Sequence, residues 1–196
     1  LSRIALFPLS RGVFPDGLLP LNIFEVRYLD LVRRCHREGQ AFGVPCLAEG
    51  QEVQVPGHVP RLHLTGCAVE VMHVEQVQPA LLRVACRGLW RFRLSAHEAG
   101  PYGVWQGEVE RLPDDPPSEV PSDLQPVADE LGRLIRSAQR SGRLTDLPIL
   151  PPYRLDESGW VANRWAELLP LPAELQVALL ATDDPIERLR RVATHL

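Results

Sequence analysis

The chain has 196 residues, 45% hydrophobic and 23% charged, with a formal net charge of −4. That balance suits a globular protein able to bury about 70% of its unfolded surface, and it gives no general attraction to nucleic acid or an anionic membrane. All 21 basic residues are arginine; with no lysine the chain can build neither a phosphate-binding P-loop nor a Ser–Lys dyad, because arginine stays protonated to beyond pH ~12.

The apolar run Ile4–Leu9 predicts a first strand. Turn residues follow, Ser10 to Gly12 and then Pro15-Asp16-Gly17. Leu18–Phe24 predicts a second strand. It carries Pro20, which donates no ladder hydrogen bond and so points to an edge or a bulge. A helix follows directly. Glu25 sits in its first turn, Tyr28, Leu31, Val32 and Cys35 recur at helical spacing, and Gly39 stops it.

These residues carry a resemblance. LFPL, then VFPDGLLPLNIFEVRY, is similar to the opening of the Lon protease N-terminal, substrate-binding domain family. The family's motif falls here on Pro20, Leu21, Ile23, Phe24, Glu25, Arg27 and Tyr28. The resemblance implies a β-rich, PUA-like fold with one helix packed on it. It implies nothing catalytic, since the ATPase and protease chemistry of full-length Lon both need the lysine this chain lacks.

Ala41–Leu47 reads as an irregular strand and Glu52–Val55 as a short half-buried one. Leu62–Glu75 reads as a strand bent at Gly66, Leu81–Arg87 as its return, and Leu89–Leu94 as a separate piece beyond Gly88. In that piece Trp90, Phe92 and Leu94 point one way, and Arg91 and Arg93 the other. Tyr102–Leu112 reads as the last strand. Strands joined by turns argue for antiparallel pairing. Residues 113–121, with four prolines and three acids, read as a linker.

Beyond it the pattern is helical. Ser122 is placed as a cap with Gln125 in the capping-box position, and Leu131, Leu134 and Ile135 lie on its apolar stripe. Ser158 is placed as the cap of a second helix, Ala173–Ala181 forms a third, and Asp184-Pro185-Ile186-Glu187 starts a last. The leucine-rich helix, acidic turn and Glu187-Arg188-Leu189 that close the chain also resemble the family. The expected fold is therefore α+β: a β-rich PUA-like pseudo-barrel of mostly antiparallel strands with one packed helix over 1–112, a linker over 113–121 and an α-helical bundle over 122–196.

No catalytic or metal constellation stands out. Cys35, Cys46, Cys67 and Cys86 show no CxxC spacing and read as buried free thiols. His63 and Cys67 are too far apart along a strand to share an ion. The paired acids Asp114-Asp115 and Asp183-Asp184 read as linker and cap. Glu25 is expected to accept from backbone donors freed at the helix start, and Arg27 to pair with a nearby acid; with Pro20, Phe24 and Tyr28 they read as structural. Phe14, Pro15, Leu18 and Leu19 are the candidate peptide-binding residues, with a plug at one end of the barrel as the alternative. The expected function is a non-catalytic module binding unfolded or partner polypeptide, without cofactor or metal. The rival is an RNA-binding PUA-like module, for which Arg87, Arg91, Arg93, Arg33, Arg34 and Arg37 would form the patch. A hydrolase ranks last. No run of ~20 apolar residues and no signal-peptide pattern occurs, so a cytoplasmic protein off the membrane is expected; homo-oligomerisation stays open.

Overall fold

The computed structural model describes residues 1–196. Six strands form one mixed sheet: β1 (Ser2–Leu6), β2 (Leu18–Ile23), β3 (Phe42–Glu49), β4 (Arg61–Gln78), β5 (Leu81–Ala99) and β6 (Trp105–Arg111). Helix α1 (Val26–Glu38) lies between β2 and β3. Four helices follow β6: α2 (Gln125–Arg140), α3 (Ser158–Leu168), α4 (Ala173–Leu180) and α5 (Pro185–Ala193). The class is α+β, with the helices segregated towards the C-terminus.

The order is β2-β5-β4-β3-β1-β6, with β6 also pairing β5. All pairings are antiparallel except β1 with β3, whose connection contains β2 and α1. The pairings β5–β4–β3–β1–β6–β5 make a closed circuit. The edge of β5 away from β4 is divided, its first half holding β2 and its second half β6. That leaves β2 paired on one side only, and there Pro20 costs no ladder bond.

Several expected boundaries move. β4 and β5 are continuous, 18 and 19 residues long, and absorb irregularity as register shifts rather than breaks at Gly66 or Gly88. At Gly88 a side chain would collide with the Phe14 carbonyl, so this glycine marks a close approach of loop to strand. Glu52–Val55 is not a strand but part of the β3–β4 loop. Neither Ser122 nor Ser158 caps a helix: the first opens a 3-10 turn, and the second donates Oγ–H to the Glu119 carbonyl. Asp184 does cap α5, accepting from the N–H groups of Ile186 and Glu187.

One core joins α1 to the sheet through Leu31, Val32, Phe42, Val69 and Leu82, a second fills the circuit around Leu6, Phe92 and Val109, and a third packs α2 to α5. Phe14, from the β1–β2 loop, is fully buried in that third core. All four cysteines are free and buried.

Candidate functional site

The β2–α1 corner carries the motif residues. Glu25 is extended at φ −75° and ψ 130°, and its main-chain carbonyl accepts from Tyr28 and Leu29 N–H, each at 3.0 Å. Its carboxylate does not serve the helix start as expected. It accepts from Arg27 Nε at 3.1 Å and from Gln54 N–H at 3.5 Å. Arg27 donates Nη1–H to the Gly103 carbonyl at 2.9 Å and lies 4.3 Å over the Tyr28 ring. Burial pushes the Tyr28 phenol up to about 12, against the pull of the Arg27 charge. Glu52 accepts from Ser10 N–H and Oγ–H at 2.8 and 2.6 Å. So the corner is clamped: Glu25 holds the β3–β4 loop to it, Arg27 holds the β5–β6 turn, and Glu52 ties the β3–β4 loop to the segment after β1.

The clamp frames two adjoining hollows that share Tyr28, Glu52 and Val53. The larger, about 230 Å³, lies between β2 and the segment after β1; Phe7, Leu9, Leu21, Ile23 and Phe24 line it, with Arg11 at its margin. The smaller, about 80 Å³, reaches Val55, Pro60 and Trp105. Phe24 is 57% exposed and its neighbour Val26 74%. Val53, Val55 and Val59 are exposed on the opposing loop. Tyr102 is 88% exposed at φ 60°, beside the Gly103 that Arg27 holds, and that backbone region is uncommon for an aromatic residue. Large apolar groups left in water around a concave surface are the mark of a binding surface.

The structure corrects the candidate peptide-binding residues. Phe14 is fully buried among the C-terminal helices and Leu19 is 2% exposed in the sheet core, while Pro15 and Leu18 are half-buried. Leu18 and Leu19 belong to β2, and the loop before them is bound to the C-terminal helices. Gly12 N–H donates to Gln176 Oε1 at 2.9 Å, Phe14 N–H to Glu167 at 3.2 Å, and the Pro15 carbonyl accepts from Arg164 at 2.8 Å. Asp16 pairs with Arg87 at 2.9 Å and also with Arg154. Phe24, expected as structural, is the most exposed of the aromatic residues lining the larger hollow.

Two arginines of the rival's basic patch are engaged inside the fold, while Arg33, Arg34, Arg37 and Arg93 are exposed. Arg91 is 3% exposed and donates to the carbonyls of Leu180 and Pro113, both at 2.8 Å; burial lowers its pKa from the ordinary value. Arg87 is taken up by Asp16. No three His, Cys, Asp or Glu side chains stand close enough to hold a metal ion.

A family model described as the ATP-dependent protease La (LON) substrate-binding domain matches residues 3–196. The crystal structure of a Lon N-terminal domain protein from Xanthomonas campestris is 30% identical with a TM-score of 0.75, over 99% of this chain and 98% of that one. The N-terminal domain of Mycobacterium avium complex Lon protease has a TM-score of 0.66 at 16% identity, over 98% of this chain and 97% of that one, a likeness of fold. No curated protein matches the chain.

Proposed function

The chain belongs to the ATP-dependent protease La (LON) substrate-binding domain family, and from that premise we propose that it is a non-catalytic module that binds polypeptide in the groove at the β2–α1 corner. One observation carries the reading: exposed Phe24, Val53 and Val55 line two joined hollows, with exposed Val26, Val59 and Tyr102 each next in sequence to a lining residue, on the scaffold set by Glu25, Arg27 and Tyr28. Such a surface recognises apolar side chains that a folded partner would hide, so the partner is an unfolded or extended segment, in a role tied to proteolysis or protein quality control. We read the closed strand circuit as a PUA-like pseudo-barrel over 1–112, with 122–196 as a helical unit joined to it through 113–121.

Capture of a permanently unfolded protein, reduced and carboxymethylated lactalbumin, tests this. Wild type should retain it, and Phe24→Asp with Val53→Asp should lose most of it. Equal retention by both forms would remove the groove as the binding surface.

A further inference from the structure

The outer edge of β2 borders the larger hollow, and the hydrogen-bond register decides which of its groups face that way. Gly88 N–H donates to the Gly17 carbonyl at 2.9 Å, in line with the pairing of Leu18 with Arg87. Ladder direction alternates with each residue of an antiparallel pair. Leu19, Leu21 and Ile23 therefore turn their main-chain groups to β5, and Leu18, Pro20 and Asn22 turn theirs outward. Pro20 agrees: it has no N–H, and its carbonyl meets only Arg11 Nη2, at 3.5 Å. Near Leu18 the edge is closed by a bridge between Gly17 and Ile149. At Asn22 it is open. Asn22 is exposed, and no strand, loop or side chain takes its N–H or its C=O.

An unpaired N–H and C=O beside an apolar hollow are complementary to a polypeptide main chain. We infer that the groove takes its polypeptide by strand addition on β2. The segment runs antiparallel to β2. One of its residues exchanges two hydrogen bonds with Asn22, and the N–H two residues further on replaces Arg11 at the Pro20 carbonyl. Side chains of one parity then enter the hollow over Leu9, Leu21 and Phe24 and must be apolar; those of the other parity stay in water. Charge sets one end. Arg11 stands by Pro20, which the C-terminal side of the segment would reach, and has no carboxylate within ion-pair distance. The preferred segment is thus extended, apolar at alternate positions and acidic on its C-terminal side. Pro20 removes one donor from the edge and keeps the added strand short.

This inference rests on the binding function proposed above, and its test separates the two. The probe is a fluorescein-labelled heptapeptide, Arg-Val-Ser-Val-Ser-Val-Asp, with copies N-methylated at one amide at a time, titrated against the wild-type protein by anisotropy. Methylation at amides of one parity is expected to weaken binding at least about tenfold, and at the other parity to leave it unchanged. Asn22→Pro, which removes the outward N–H and spares the β5 ladder, should weaken binding similarly; Asn22→Ala should not. Melting curves confirm that both variants fold. A flat methylation scan, with affinity still lost in Phe24→Asp, overturns strand addition and leaves the groove. Failure of wild type to bind the heptapeptide while it retains carboxymethylated lactalbumin has the same meaning. A concentration-dependent dimer that Asn22→Pro abolishes, with no peptide bound, assigns the edge to a second copy and overturns the inference too.

Discussion

The Glu167 carboxylate, on α3, accepts a hydrogen bond from the backbone N–H of Phe14 at 3.2 Å, 153 residues away in sequence. Arg164, fully buried, donates Nε–H to the same carboxylate at 3.0 Å and Nη2–H to the Pro15 carbonyl at 2.8 Å. The VFPDG loop is thereby fixed to the helices by its backbone, while Phe14 fills their core. The joint between sheet and helices is made by a loop whose turn residues would suit an exposed tip.

Glu167→Ala would leave the Phe14 N–H and the Arg164 guanidinium without this partner inside the protein. Unpaired buried groups of this kind cost about 2–4 kcal/mol. Urea unfolding should show that loss with an unchanged slope; a change below about 0.5 kcal/mol would remove the clamp from the account of stability.

Burial raises the Glu167 carboxyl above its ordinary pKa, against the pull of Arg164. A raised folded pKa means that between the unfolded value, about 4.3, and the folded one the native state holds the proton more tightly. The group's contribution is therefore fully present below that window and declines as pH rises through it. Glu167→Gln cannot titrate. The stability of wild type relative to Glu167→Gln should fall as pH is raised from about 4 through the folded value, read from paired denaturation curves. A constant difference would place the carboxyl pKa at its unfolded value.

Local signals in the sequence were sound where a local interaction decided the outcome. Gly39 ends α1 in the left-handed region, Asp184 and Pro185 open α5, and Pro20 marks the edge strand. Readings failed where partners came from far along the chain. Arg91 alternates with apolar neighbours like any solvent-facing residue, yet carbonyls at the end of α4 and after β6 receive it. Glu52–Val55 alternates like a strand, but its hydrogen bonds go to Ser10 and Glu25 instead of a ladder. Gly88 was the available sign that something packs on β5 at that point, and its partner is the carbonyl of Phe14. The groove was half legible: the motif marked the corner, while the exposure of Phe24 depends on where β2 ends.

Asp115 and Asp114 are adjacent and should differ sharply on mutation. Asp115 receives Arg188, fully buried, through two bonds at 2.6 and 2.8 Å. Asp114 pairs with exposed Arg111. Asp115→Ala strands a buried cation and should cost about 3–5 kcal/mol. Asp114→Ala should cost under about 1 kcal/mol. Melting of the two variants side by side tests this, and equal shifts would contradict the buried pair.

Burial pushes the Cys46 and Cys86 thiols up to about 12 and raises Cys35 and Cys67 as well. Neutral thiols are poor nucleophiles. A disulfide reagent at pH ~8, where a free thiol of pKa about 8.5 is partly ionised, should find none of the four reactive in the native protein and all four in guanidinium. The unfolded chain ionises first, so this contribution to stability is lost as pH climbs above about 8.5. Rapid native labelling of one thiol would show that its site opens.

Phe14→Asp and Phe24→Asp place the same charge on two aromatics of the same motif region, with opposite expectations. Phe14 has no exposed surface, so an aspartate there loses a packed ring and buries an acid among Leu124, Ile149 and other apolar groups of the helical core. That combination should cost about 4 kcal/mol or more and unfold the helical unit or the whole chain. Phe24 is 57% exposed, so its replacement should change stability by less than about 1 kcal/mol. It does put a charge at the mouth of the larger hollow, where an apolar side chain would have to be desolvated beside it. Affinity for an extended apolar peptide should then fall about tenfold or more while the melting temperature holds. Circular dichroism and anisotropy on the two variants separate the roles. A Phe24→Asp protein that melts with wild type and binds as tightly would show that the groove is not where polypeptide is held.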